Sequence, residues 1–520
     1  MNTKVEIDSR NFSRRKFIST CAACAAYGVC MAKSPIEVSS SHSYTNIKNE
    51  KLRIRVIYSL HNIVQDRPDW PNIGFDFKPS IEKYNSVFKK EFPSYEFIST
   101  LASNQEDAES IIAQDKNEKI DAYIVFQMNC WNRVVQTIAK SKKPVLYVDF
   151  KYAGSGGFLV YNSEFLRNKQ SNVGFVSSSR VEDLIEGVKC FESSVQNPDH
   201  FASATTMARL KSTPSSGQIS WKSDKLDVLS MDETKRRLKE SKILAFRDQN
   251  AHTAEPIMGI PIEFLTFAEL NKAWEAANRD EAKVVAEKWK NNSSKIVDVS
   301  FDELQNSAAF YLGMKSILKK HQANAITVNC LGGFYGNHIH AYPCLGFHEL
   351  ANEGLIGACE CDIRSTVTMV AFSTMTGRPG YISDPVIDTS KRQIIYAHCV
   401  APNKMFGTEG AANPYNIMTH SEDRQGAAVQ SMLPLGYLTT TLEIDNDKKE
   451  IIFHQAKAVD NDPDDRACRT KLCAEPIGDI EKLFTEWDRW GWHRVTFYGD
   501  LKKPVYDLAD SIGWRVIEET

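Results

Sequence analysis

Between Leu52 and Val328 two kinds of segment alternate, and that alternation limits the possible folds more than any other feature. Ile54–Tyr58, Tyr95–Thr100, Ala122–Gln127 and Val145–Phe150 are short β-branched or aromatic runs. Polar, helix-forming stretches such as Ile81–Lys90 and Gln105–Gln114 separate them. Short apolar runs of this kind suit strands buried on both faces, and an intervening helix is the crossover that brings the next strand in parallel. Ile243–Phe246 and Ala325–Val328 resume the strand pattern, with helices expected over Glu281–Trp289 and Phe301–Leu318. Ser300 and Glu303 form a capping box ahead of the second of these. The expected fold class is α/β, with two doubly wound (Rossmann- or flavodoxin-like) domains at 51–170 and 171–350.

After about Ala351 strand runs and turn residues dominate. Ile394–His398, Leu438–Ile444 and Ile451–Phe453 read as strands, the last two joined by a hairpin loop at Asp445–Lys449. A β-rich, barrel-like C-terminal domain is therefore expected over 351–520. Ala153-Gly154-Ser155-Gly156-Gly157 reads as a turn ahead of a strand and lacks dinucleotide-fingerprint spacing. Ser203–Ser223 reads as an exposed loop.

Charge narrows the partners. With 63 Lys+Arg against 66 Asp+Glu, the formal net charge of −3 supplies no field for a polyanion, so nucleic acid is not favoured. No apolar run reaches the ~18 residues of a membrane span, which excludes a multi-span membrane protein.

The first fifty residues read as an address and a linker. Ser13-Arg14-Arg15-Lys16-Phe17-Ile18 opens an alanine-rich, weakly apolar stretch that reaches about Ala32, and Ser34–Asn49 is rich in Ser and Asn. Paired arginines followed by apolar and then small residues look like a twin-arginine export signal, which implies passage through that translocation machinery to the periplasm or cell surface. Export in the folded state suits a chain that acquires its metal in the cytoplasm. Cys21, Cys24 and Cys30 fall in or near this leader, and whether one is lipidated is open. The other nine cysteines are an odd number with no framework spacing, so free thiols are expected, with Cys468 and Cys473 the pair near enough to bridge locally.

Three acidic or imidazole positions carry candidate chemistry. Gly357-Ala358-Cys359-Glu360-Cys361-Asp362 sets two carboxylates among small residues, Asp384 follows in Ser383-Asp384-Pro385, and His493 lies in Trp490-Gly491-Trp492-His493. Two carboxylates and an imidazole are a ligand set for Mn²⁺, Fe²⁺ or Mg²⁺ with positions left open for substrate. Each piece also has a plainer reading, as a helix cap, a partner of Arg364 or a packed histidine.

Cys344-Leu345-Gly346, the ACECD segment, Ser383-Asp384-Pro385, Ala397-His398-Cys399, Cys468-Arg469-Thr470 and Gly491-Trp492-His493 with Tyr498-Gly499-Asp500 occur in an order that resembles the C-terminal half of the L-fucose isomerase-like family. The resemblance spans roughly Lys51 to the C-terminus, and its specific motifs begin after about Cys330. It implies Mn²⁺ held by Glu360, Asp384 and His493; Glu360 and Asp384 are 24 residues apart, as in the family. It implies aldose–ketose interconversion of a monosaccharide, with Glu360 as base, Asp384 as its acid/base partner, and assembly as a hexamer or trimer. Family members carry Asn just before the metal-binding His; here Trp492 stands there, suited to stacking on a sugar face. An exported isomerase would lose its product to the wrong compartment, so a glycoside hydrolase or lyase on the same metal site is a second reading. A non-catalytic periplasmic sugar-binding protein is a third. His398, His338 and His340 are the other candidates for lining a substrate site. His420–Arg424 reads as a solvated loop, or a mobile one over the site.

Overall fold

A computed structural model describes residues 51–248 and 250–520; the segment read as leader and linker, with its three cysteines, lies outside the described residues. Strands β1 (Leu52–Ser59), β2 (Tyr95–Ala102), β3 (Ala122–Gln127), β4 (Val145–Asp149) and β5 (Val173–Val176) form an all-parallel sheet in the order β2-β1-β3-β4-β5. Both faces of its central strands are covered, which is why β3 and β4 are buried at every position. A second sheet uses β6 (Ile243–Asp248), β7 (His252–Ile257) and β8 (Ile260–Thr266), while β9 (Lys295–Val297) leaves it for a small side sheet. With β10 (Ala325–Val328) and β11 (Ile356–Cys359), the second sheet runs β11-β10-β6-β8-β7, parallel except for β7. The serine half of the capping box forms, with Ser300 Oγ accepting from the Glu303 amide at 3.1 Å to open the helix Phe301–Lys320, while Glu303 Oε1 makes no hydrogen bond in return. Such a cap contributes about 1 kcal/mol.

The C-terminal strands are β12 (Tyr381–Asp388), β13 (Gln393–His398), β14 (Tyr415–Met418), β15 (Ala428–Ser431), β16 (Leu438–Asp445), β17 (Glu450–Asn461), β18 (Thr470–Pro476), β19 (Arg494–Tyr498) and β20 (Arg515–Glu518). Six of them close into a barrel, β16-β19-β12-β13-β18-β17 and back to β16, with β20 added on β17 and β14 and β15 joining β9. Asp445–Lys449 is the hairpin turn between β16 and β17, as its sequence predicts. Barrel closure removes the sheet edge that an open antiparallel sheet of this size would expose.

Two expectations are corrected. The Gly154–Gly157 run opens a helix, Ser155–Arg167, where a strand was expected to follow. Its glycines serve close approach: a Cβ on Gly154 would sit 2.2 Å from the Gln127 carbonyl oxygen at the end of β3, and one on Gly156 would lie 3.3 Å from the Trp492 ring. Gly154→Ala is therefore expected to destabilise the protein by roughly 1–3 kcal/mol through overpacking against backbone, measurable as a lower denaturation midpoint. Second, much of Ser203–Ser223 is helical, in Phe201–Ser212, because Phe201, Thr205 and Arg209 share a buried face. Among the described residues, no helix is long and apolar enough to cross a membrane, and the nine cysteines are free thiols, Cys468 and Cys473 included.

One buried ion pair ties the chain's end to the barrel. The Arg494 guanidinium donates to Glu519 at 2.7 Å and stacks over Trp487 at 4.4 Å, while His454 Nδ1 lies 2.9 Å from the other Glu519 oxygen. All three side chains are essentially inaccessible to solvent.

Candidate metal centre

A cleft with about 150 Å³ of space for water-sized molecules lies where the C-terminal ends of the parallel strands meet the barrel. Open α/β sheets bind ligands beyond the carboxyl ends of their strands, because helix N-termini and loops converge there. From the first sheet come Asp69 and Trp70 after β1, Cys130 and Trp131 after β3, and Gly156 after β4. The second sheet supplies Leu331 after β10 and Glu360 after β11, so Glu360 is delivered from an α/β sheet edge. Asp384 on β12, His398 at the end of β13, and Trp492 before β19 come from the barrel.

The tight turn from β11 into the helix Ile363–Thr376 places Glu360. Glu360 and Cys361 both adopt left-handed backbone, at φ 61° and 52°. Such a conformation costs a non-glycine residue on the order of 1–3 kcal/mol and persists where function retains it. The two carboxylates of the ACECD segment then part company. Glu360, 29% exposed, faces the cleft, while Asp362 turns inward. One Asp362 oxygen caps the helix by accepting from Ser365 N at 3.1 Å, and the other lies 2.9 Å from His493 Nδ1. Arg364 forms its ion pairs with Asp445 and Asp447 and none with Glu360 or Asp362.

Glu360, Asp384 and His493 come together. His493 Nε2 lies 3.4 Å from a Glu360 oxygen and 3.2 Å from Asp384 Oδ1, yet makes no hydrogen bond. Asp384 is gripped from two further sides, by the Trp492 indole N–H at 2.5 Å and by His398 Nδ1 at 3.2 Å. Burial alone would push the Asp384 carboxyl up, but its hydrogen bond to His398 and the close approach of His493 hold it well below the usual carboxylate range. Burial likewise opposes charge on His493, and the Glu360 charge together with the Asp362 and Asp384 contacts raises it well above the ordinary imidazole value. Ligand atoms of Asp384, His398 and His493 lie within 4.8 Å of one another. This donor set suits a divalent cation: three carboxylates converge on one imidazole whose Nε2 lacks a hydrogen-bond partner, and a cation would replace the proton that their charge attracts there.

His398 and Trp492 border the cleft. Trp492 is pinned edge-on to Trp131, with ring centres 6.1 Å apart. His338 and His340 do not line it: His338 is stacked on Phe267 and His340 lies near Trp274, both exposed on the second sheet's periphery. Nor is His420–Arg424 a wholly solvated loop. His420 is buried against Asp423 and raised to about 9; burial opposes that shift, and the Asp423 hydrogen bond with nearby acidic charge outweighs it. Glu422 faces the cleft, accepts from the Tyr335 hydroxyl at 2.9 Å, and is pushed up to about 7 chiefly by burial. Sequence reasoning missed Asp69, Trp70, Cys130, Trp131 and Glu422. For the first four the available signal was position, since each closely follows a buried parallel strand.

The chain is thus an α/β protein with parallel sheets, a closed six-stranded barrel and an acidic, imidazole-bearing cleft at their junction. It is similar to proteins named sulfoquinovose isomerase: 27% identical over 137 residues to that of Priestia aryabhattai, covering 25% of this chain and 29% of the relative. It is 22% identical over 210 residues to the one from Clostridium sp. (strain MSTE9), covering 39% and 45%, and 24% identical over 138 residues to that of Alkalicoccus urumqiensis, covering 26% and 30%. The matched stretches thus span less than half the length of these relatives. No family model matches the chain. Among solved structures, the transcription regulator CcpA of Lactococcus lactis aligns with 54% of this chain and 78% of its own, at 9% identity and a TM-score of 0.15, too low to bear on fold or function.

Proposed function

We propose that the protein is a divalent-metal-dependent aldose–ketose isomerase of the L-fucose isomerase-like type, with Mn²⁺ held by Glu360, Asp384 and His493. The observation that carries this is the unpaired His493 Nε2 set between the Glu360 and Asp384 carboxylates. The names of the relatives support the reaction class. Bound there, the cation would supply positive charge to the oxygens on C1 and C2 of an open-chain sugar.

The chain's own residues do the rest. Glu360 is the carboxylate open to the cleft, and it removes and returns the proton that moves between the two carbons. Asp384, held by the Trp492 and His398 donors and strongly acidic, serves as ligand and leaves the acid's part to Glu422, whose carboxyl near 7 is able to lend a proton. Trp70, Trp131 and Trp492 offer aromatic faces to the sugar's C–H side. No lysine or arginine lines the cleft among the described residues, which favours an uncharged sugar. The strand order of the two parallel sheets supports the doubly wound reading, and the leader supports export by the twin-arginine route.

Asp362→Asn is expected to weaken Mn²⁺ binding about 10–100-fold, because the residue orients His493 without touching the cleft. Metal titration followed by calorimetry reads this directly. The function itself is tested by incubating Mn²⁺-loaded protein with neutral aldoses, sulfoquinovose and aryl glycosides. Ketose formation is the expected result. Aglycone release without ketose would transfer the site to the hydrolase reading, and binding without turnover would transfer it to the sugar-binding one.

A further inference from the structure

His398 repeats the arrangement of His493 and faces a different set of atoms. Its Nδ1 is engaged by Asp384 Oδ2 at 3.2 Å, and its Nε2 is buried with no hydrogen-bond partner. An imidazole nitrogen left unpaired in the interior is unfavourable unless something binds it. Cys359 and Glu360 stand beside it, and ligand atoms of Cys359, Glu360 and His398 all lie within 4.8 Å of one another. Cys359 borders the cleft, with Cys330 Sγ 3.1 Å from its own sulfur.

We propose that Cys359, Glu360 and His398 form a second cation position, distinct from the Glu360–Asp384–His493 set and selective for a thiophilic divalent ion such as Zn²⁺. One sulfur, one nitrogen and one oxygen donor with a side open to the cleft are a Zn²⁺-type ligand set, whereas the neighbouring position offers only oxygen and nitrogen and suits Mn²⁺. Glu360 belongs to both, so the two positions adjoin. Binding displaces the proton from the Cys359 thiol and any proton on His398 Nε2 into solvent, and no bond to sulfur is oxidised or reduced. The position rests on the geometry of these three side chains and requires no particular reaction of the cleft.

Co²⁺ titration of the full chain, stripped of metal and kept reduced with a phosphine, tests it. A near-ultraviolet sulfur-to-cobalt charge-transfer band is expected in the wild type and in Asp362→Asn. It is expected to vanish in Cys359→Ser and to persist in Cys473→Ser, whose thiol lies in the barrel wall away from the cleft. Zn²⁺ equilibrium dialysis with elemental analysis should show one equivalent fewer bound by Cys359→Ser than by the wild type. Absence of the band in the wild type, its survival in Cys359→Ser, or equal Zn²⁺ content in the two would overturn the position. An intact band in protein that isomerises no sugar would remove the proposed reaction and leave this site standing; ketose formation without the band would do the reverse.

Discussion

Glu360→Gln is expected to lower ketose formation by about 10²–10⁴-fold, the contribution of a positioned acid–base group. The substitution preserves size and the strained turn at φ 61°, but it removes the charge that faces His493 Nε2 at 3.4 Å and the carboxylate open to the cleft. Because Glu360 sits at the surface of the cleft, the fold should survive, and far-ultraviolet circular dichroism should match the wild type. Steady-state kinetics with Mn²⁺ in excess separates lost catalysis from lost metal. Undiminished turnover in the variant would remove Glu360 from the mechanism and the proposed site with it.

Glu519→Ala is expected to destabilise the protein by about 3–5 kcal/mol, since it strands the buried Arg494 guanidinium without its counter-ion. The effect should reach the cleft as well, because Arg494 follows His493 directly and pairs with Ser383, the neighbour of Asp384. Burial pushes the Glu519 carboxyl up, but the Arg494 charge and the His454 contact outweigh it and lower it from 4.5 to about 2. A carboxylate depressed in the folded state stabilises that state fully above its unfolded value. The stabilisation from Glu519 is thus complete above about 4.5 and fades as pH falls toward 2. Urea denaturation of wild type and variant should accordingly show a wide gap at neutral pH that narrows through that acidic window. A gap that stays constant to pH 2 would rule out the ionised pair as its source.

Much of the framework was legible in the primary sequence. Ala122–Gln127 and Ala325–Val328 coincide with their strands residue for residue, because β-branched and aromatic runs of that length have no other way to bury both faces. Ser300 and Glu303 marked a helix start through a local hydrogen bond that needs no tertiary partner. The glycine run at Gly154 was misread for the opposite reason. Its requirement is clearance from the Gln127 carbonyl, a contact 27 residues away in sequence that no local pattern records. Phe201–Ser212 was hidden by its Ser and Thr content, since its buried face becomes apparent only once β5 lies against it.

The candidate site divides along the same line. Glu360, Asp384 and His493 were candidates by residue type, joined as one ligand set only by the motif order that resembles the L-fucose isomerase-like family, while the β-rich character of the segment that carries the last two was legible in its strand runs. Tertiary structure alone decided the rest. It turned Asp362 toward His493 and Glu360 toward the cleft, although the two are neighbours in one short motif. It brought His398 and Cys359 within reach of Glu360, set the half-buried Glu422 in the cleft wall, and left His338 and His340 outside. The physical reason is one of range. Strand, helix and cap preferences act over a few residues and are written locally. The charge, burial and direction of a side chain in this cleft depend on two parallel sheets and a barrel meeting at one point, held there by contacts between residues far apart in sequence, such as Lys151 with Asp388 and Tyr152 with Asp462.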